Sequence, residues 1–249
     1  MQNELTSKII DEALERSFAE ASDQPAGYFI LKRTIDIIGA AFGLIILFPF
    51  LLIVAVIIRL DSPGPVFFVQ KRVSIKKTKV NGATRYHLSE FFCYKFRTMV
   101  HNADPSVHQA FVKALINNED DKVASMQHGD TKLKKLTTDH RITRIGRFLR
   151  KASIDEFPQL INVLKGEMSL VGPRPAILYE VEMYKPWYRR RLEAKPGMTG
   201  LWQVTARSSA DFDEMVKLDI EYIERRSTLF DIWILLRTPL IVLSCKGAV

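Results

Sequence analysis

The chain has 249 residues, 47% hydrophobic and 26% charged, a balance that excludes intrinsic disorder and fibrous repeats. Thirty-six Lys and Arg against 28 Asp and Glu leave a net charge of +8, so the expected partners are anionic: nucleic acid, phospholipid headgroups or phosphorylated substrates. Cys93 and Cys245 stand in no CxxC or zinc spacing, which fits a reducing compartment and a fold without disulfides.

Leu5, Ile9, Ile10, Leu14 and Phe18 recur at helical spacing among acids. They predict an amphipathic helix that packs on the body of the protein or on another copy. Ser22–Gly27, with Pro25, reads as a linker. From Ile37 to Ile58 come 22 residues without a charge. As a helix this run is about 33 Å long, against a hydrocarbon core of about 30 Å. Pro49 near its middle deletes a helical hydrogen bond and bends the axis. Lys32 and Arg33 precede the run and Arg59 follows it. Between Ser62 and Ser89 there are then six cations (Lys71, Arg72, Lys76, Lys77, Lys79, Arg85) and no acid. A crossing helix has one basic side, whereas here both ends are basic. The expectation is a bent helix that enters the bilayer and leaves on the same, cytoplasmic face, with a simple crossing as the alternative.

Asp61-Ser62-Pro63-Gly64-Pro65 is a turn that ends the helix. Val66–Val73 and Phe91–Met99 read as strands around the hairpin signal Asn81-Gly82. Asp104-Pro105 predicts a helix start running to about Asn117, followed by a polar surface insertion over residues 117 to 138. Three segments mix cations with large apolar residues: Asp139–Lys151, with Arg141, Arg144, Arg147 and Arg150 at every third position; Pro186–Lys195; and Leu229–Leu243. Each is expected to lie in a headgroup layer or to be an ordinary solvated helix face.

Ser153-Ile154-Asp155-Glu156-Phe157-Pro158 opens a helix whose apolar positions are Phe157, Leu160, Ile161 and Leu164. Ser153 with Glu156 forms a capping-box pattern. The same carboxylates follow four arginines and precede Gly172-Pro173-Arg174-Pro175, a setting suited to phosphates with a divalent metal between like charges. The glycines of Lys195–Gly200 either let backbone N–H groups approach an anion or make a tight turn beside Trp202. No P-loop, GxGxxG, HExxH or GxSxG pattern occurs, and His87, His101, His108, His128 and His140 are expected to be solvated.

Three groups of blocks together carry a resemblance. The first is Lys32-Arg33-x-x-Asp36, Ser62-Pro63-Gly64-Pro65 and Tyr94-Lys95-Phe96-Arg97-Thr98-Met99. The second is Arg141-Ile142-Thr143-x-x-Gly146 and Asp155-Glu156-Phe157-Pro158-Gln159-Leu160. The third is Met168–Pro175 and Lys195–Gly200. From about residue 30 onward the chain resembles the bacterial sugar transferases, or monotopic phosphoglycosyl transferases. It departs from them at Phe48-Pro49, where they carry Ser-Pro, and at Ala206, where they commonly carry Gly.

The resemblance implies a membrane enzyme of the bacterial inner membrane, facing the cytoplasm. It would transfer a sugar 1-phosphate from a UDP-sugar to polyprenyl (undecaprenyl) phosphate with Mg²⁺ and release UMP, the first step of exopolysaccharide or glycoconjugate assembly. Asp155 would be the nucleophile that forms a covalent phosphosugar, and a metal ligand, with Glu156 assisting. Lys95, Arg97, Arg150, Pro173, Arg174 and Arg207 would contact substrate.

The expected fold is α+β and mainly helical, with a re-entrant membrane helix, interfacial amphipathic helices and a small β-hairpin. The expected layout is an N-terminal segment 1–31, a membrane-embedded helix 32–60 and a catalytic domain 61–249. Membrane lipids are expected partners, nucleic acid is not, and self-association stays open. The rival reading is a non-catalytic basic protein that binds membranes or nucleic acid, with Asp155 and Glu156 as helix caps.

Overall fold

The computed structural model describes residues 26–80, 83–117, 119–126, 139–206 and 210–243. The amphipathic stretch over residues 5–18, most of the expected linker and residues 127–138 lie outside them.

Helix α1 (Ala26–Asp61) carries the apolar run and continues through Pro49. Among the described residues it is the one helix long and apolar enough to cross a membrane. It begins within the expected linker, and its N-terminal part docks on the body through charges. Lys32 Nζ donates to Asp231 Oδ2 (3.0 Å), Val171 O (2.9 Å) and Tyr222 Oη (3.2 Å). Arg33 donates to Val163 O and Leu164 O at 2.6 and 2.8 Å. Asp36 accepts from Ser169 Oγ and Leu170 N at 2.9 and 2.8 Å. These residues, read from sequence as flanking charges and motif positions, hold the helix to the protein.

Farther along, Ala40 packs with Phe91, Cys93, Leu160 and Met168, while Val54 and Ile58 pack with Phe96, Leu149 and Ile154. Both halves of α1 therefore rest on one body. Between these contacts Ile45, Ile46 and Phe48 are exposed.

Strands β1 (Phe67–Val80) and β2 (Ala83–Phe96) form an antiparallel hairpin, from Phe67 opposite Phe96 to Val80 opposite Ala83. The last pair, Val80 with Ala83, flanks Asn81-Gly82, the hairpin signal in the sequence. The strands run longer than the sequence pattern suggested because polar cross-strand pairs extend the ladder past the apolar residues. Helices α2 (Ser106–Ile116) and α3 (Asp120–Met126) follow and share the buried residues Phe111, Ala114 and Val123. Part of the expected insertion is thus helical.

Helix α4 (Arg144–Lys151) starts at Thr143, whose hydroxyl accepts from Gly146 N. The every-third arginine pattern divides here. Arg141 lies before the helix, buried against Asp139 at 2.6 Å. Arg144, Arg147 and Lys151 stay exposed around Phe148, which is 61% exposed.

A 3₁₀ helix (Ile154–Gln159) leads into α5 (Leu160–Lys165), then β3 (Ser169–Val171), α6 (Leu178–Glu182) and a second 3₁₀ helix, Pro186–Glu193. The headgroup expectation for Pro186–Lys195 is overturned for part of that segment. Tyr188, Arg191 and Leu192 are buried, and Arg191 reaches Asp219 at 2.6 Å. A buried acid is what a buried guanidinium requires, and Asp219 supplies it from a distant helix.

Strand β4 (Gly197–Thr199) pairs in parallel with β3, followed by α7 (Leu201–Thr205), α8 (Phe212–Arg225) and α9 (Thr228–Leu243). On α9, Ile234 and Asp231 face inward, whereas Leu229, Ile232, Trp233, Leu236 and Leu240 form an exposed stripe.

One comparison tests how α1 is anchored. Lys32→Met leaves the buried Asp231 carboxylate without its cation, a loss of about 3 kcal/mol. Lys71→Met removes an exposed pair with Glu90, which is worth at most about 1 kcal/mol. Thermal melts should show a drop of several degrees for the first and little change for the second.

Candidate active site

The two adjacent carboxylates sit in the 3₁₀ helix between α4 and α5. Ser153, just ahead of them, takes the left-handed conformation (φ 55°) and makes no side-chain cap. The capping box therefore does not form. A non-glycine residue held at positive φ costs about 1 kcal/mol or more, and such strain concentrates at functional sites. The helical periodicity continues through this segment, but Pro158 lies inside it and its first turn is the tighter 3₁₀ form.

Asp155 is 9% exposed. Burial pushes its carboxyl up to about 6, with Glu156 adding to the shift and Lys95 and Arg150 opposing it. The structure thus brings four of the predicted residues into one electrostatic unit. Lys95, from β2, donates to Glu156 Oε1 at 2.6 Å. Arg150, from α4, is half-buried and is oriented by its Nε bond to Thr98 Oγ1 at 2.9 Å. Thr98 was not singled out from sequence, although it stands three residues from Lys95 in the same motif.

Arg174 is exposed, and no described residue pairs with its guanidinium. Its backbone is braced on every side. Arg72 donates to Pro175 O (2.8 Å) and Arg191 to Arg174 O (3.4 Å). Gly197 N donates to Pro173 O and Gly172 N to Thr199 O, both at 2.8 Å. Lys95, Arg72, Glu156 and Arg174 all bear electrostatically on the Cys93 thiol, which burial pushes up, so they surround one stretch of β2.

Three expectations change here. Pro173 is buried with its carbonyl bonded to Gly197 N, so it fixes Arg174 instead of reaching outward. The guanidinium of Arg97 is buried and donates to Ser62 O (2.7 Å), Pro63 O (2.7 Å), Ser62 Oγ (3.0 Å) and Ile58 O (3.4 Å). Its two Nη groups are committed to the end of α1, while its buried Nε has no partner among the described residues. The glycines of the Lys195–Gly200 block admit the backbone of Gly172, because a Cβ on Gly197 or Gly200 would stand 2.1 or 2.4 Å from its atoms.

Arg207 lies outside the described residues. His108, expected to be solvated, is half-buried against Tyr179 Oη (2.9 Å), and burial pushes it down to about 4.

Among the described residues, no three His, Cys, Asp or Glu side chains converge as a metal cage. Asp155 with Glu156 beside it fits Mg²⁺, which takes one or two carboxylates and completes its octahedron with water and substrate phosphate oxygens. A carboxylate buried next to a second one favours a cation at this place.

The chain shares 43% identity over 222 residues with the galactosyl transferase CpsE of Streptococcus agalactiae, covering 89% of this chain and 44% of that protein. It shares 42% over 218 residues with the undecaprenyl-phosphate galactose phosphotransferase of Salmonella typhimurium, covering 88% and 41%. It shares 37% over 216 residues with the exopolysaccharide production protein ExoY of Sinorhizobium fredii, covering 86% and 87%. The chain thus spans less than half the length of the first two relatives and most of the third. Residues 27–245 match the family described as bacterial sugar transferase, and the chain belongs to that family.

Proposed function

We propose that this chain transfers a sugar 1-phosphate from a UDP-sugar to polyprenyl phosphate at the cytoplasmic face of the bacterial inner membrane. The observation that carries this reading is the buried Asp155 carboxylate, set between Glu156–Lys95 and Arg150 on a segment held between the two ends of an apolar helix. Relatives named as an undecaprenyl-phosphate galactose phosphotransferase and as a UDP-galactose-lipid carrier transferase support the substrate classes.

In this reading, an Asp155 oxygen attacks the β-phosphorus of the UDP-sugar, and the bond to the UMP oxygen breaks. A phosphate oxygen of the lipid then attacks the same phosphorus, which frees Asp155 and leaves a polyprenyl diphosphate sugar. Glu156 takes the proton of the incoming lipid phosphate. A carboxylate about 4 Å from a phosphate charge is repelled by about 4 kcal/mol at an effective dielectric near ~20. Arg150, Lys95 and Arg174 offset that repulsion. Mg²⁺, when bound, supplies further neutralisation of the diphosphate. The elevated proton affinity of Asp155 makes its ionised form the stronger nucleophile, and most of it is ionised at pH 7.

Intact-protein mass after exposure to a panel of UDP-sugars tests the chemistry. A phosphosugar adduct and UMP release are expected with at least one donor, and neither with any donor would refute it.

The docking of α1 supports a one-sided membrane arrangement. The N-terminal part of α1 bonds to α5, β3 and α9, while its C-terminal part packs on α4. One catalytic body lies on one side of a bilayer, so both helix ends leave on that side, and the exposed residues around Pro49 enter the hydrocarbon. The cations of α4 and the apolar stripe of α9 suit the headgroup layer. Labelling of Gly27→Cys and Leu60→Cys in inverted vesicles and in spheroplasts checks this. Both should react from the cytoplasmic side, and opposite sides would mean a crossing.

A non-catalytic reading would make Asp155 a helix cap. The left-handed Ser153 and the unfavourable burial of Asp155 argue against it, since a cap gains nothing from either.

A further inference from the structure

We propose that Arg97 is a positioning residue that couples the exit of the membrane helix to the carboxylate site. The proposal rests on the reaction assigned above. Arg97 gathers the carbonyls of Ile58, Ser62 and Pro63 and the Ser62 hydroxyl with one guanidinium. A cation at a helix C-terminus satisfies carbonyls that no helical N–H reaches. The turn is built to receive it. Gly64 takes a positive φ of 121°, and a Cβ there would stand 2.1 Å from Arg97 Nη1. Arg59 Nη1 holds the Gly64 carbonyl at 2.5 Å, and Arg97 N bonds to Val66 O at 2.9 Å.

On its other side, Arg97 adjoins the phosphate-handling groups. Lys95, two residues earlier, points to Glu156. Thr98, the next residue, accepts from Arg150 Nε through its hydroxyl and from Thr143 N (3.0 Å) through its carbonyl. Gly146 lets α4 approach so closely that a Cβ would stand 2.0 Å from Thr98 O. Asp61 Oδ2 adds a second tie by accepting from Ile145 N at 3.4 Å. A shift of the α1 exit therefore moves Lys95 through its strand and Arg150 through Thr98. Lysine cannot take over, because a single ammonium lacks the planar fork that spans several acceptors.

The test uses the full chain in nanodiscs and compares wild type, Ser62→Ala, Arg97→Lys, Thr98→Val and the Arg97→Lys/Thr98→Val double variant. Arg97→Lys should lower kcat about 10- to 100-fold, with KM for the UDP-sugar changed less than about threefold. Ser62→Ala, which removes one bond, should lower kcat by about threefold. The Arg97→Lys effect should shrink in the Thr98→Val background, because one connection carries both.

Hydrogen exchange gives a readout independent of turnover. Arg97→Lys and the milder Ser62→Ala should speed exchange over residues 58–64 and also over 143–150. Faster exchange confined to 58–64, multiplicative kinetic effects, or a KM rise with unchanged kcat would overturn the coupling. Absence of transfer by the wild type would instead reject the assigned reaction, and the exchange pattern would still decide the coupling.

Discussion

Asp155→Asn should abolish transfer and, at neutral pH, raise the melting temperature. The first effect follows from chemistry. An amide is no nucleophile toward phosphorus, so turnover should fall by more than about a thousandfold. The second follows from linkage. The carboxyl of Asp155 titrates at about 6 in the folded protein against 3.8 for its ordinary value, mainly because burial penalises the ion. The folded state thus holds this proton more tightly than the unfolded chain does. Its stabilising contribution is complete below pH 3.8 and is lost as pH rises through about 6. Above that, the ionised side chain works against the fold.

Asparagine, of the same shape and uncharged, removes that opposition. Allowing for imperfect hydrogen bonding of the amide, the gain is about 1–2 kcal/mol, or about 3–6 °C for a chain of this size. The difference between variant and wild type should shrink toward pH 4, where Asp155 in the wild type is protonated too. A fall in melting temperature at pH 7.5 would assign Asp155 a structural role.

Such a result would fit how the site reads from sequence. Asp155 and Glu156 resemble first-turn acids, and only their neighbours mark them as more. The apolar helix was legible because 22 uncharged residues permit few alternatives. The hairpin was legible because Asn81-Gly82 and the flanking β-branched residues agree with one register.

Long-range pairing was not legible. Lys32 and Arg33 look like membrane-flanking charges, and their partners Asp231 and Val163 stand 199 and 130 residues away. Arg97, Arg141 and Arg191 carry the same local signature as the exposed Arg144 and Arg147. What separates them is a buried acid or a cluster of carbonyls brought up by another part of the chain. One clue was present. Asp231 interrupts a largely apolar helix near its start, and an acid in that position calls for a cation.

A tight steric constraint lies where the two Gly/Pro-rich blocks meet, and Gly197→Ala should be a strongly damaging small substitution. Built on the existing backbone, the new Cβ would stand 2.1 Å from Gly172 N, 2.6 Å from Gly172 Cα and 2.7 Å from Thr199 O. All three are main-chain atoms, so no side chain can turn aside. Relief requires separating β3 from β4, which breaks Gly172 N to Thr199 O and Gly197 N to Pro173 O together.

Lost packing and exposed polar groups would then cost about 4 kcal/mol or more. That is a large fraction of the stability of a typical domain. The variant should express poorly, melt at least about 10 °C lower and become protease-sensitive near Arg174, whose loop loses its brace. Gly27→Ala is the matched control, since nothing lies within 4 Å of a Cβ there. It should leave the melt unchanged. If Gly197→Ala melts like the wild type, β3 and β4 are not packed at this separation, and the rigid presentation of Arg174 loses its basis.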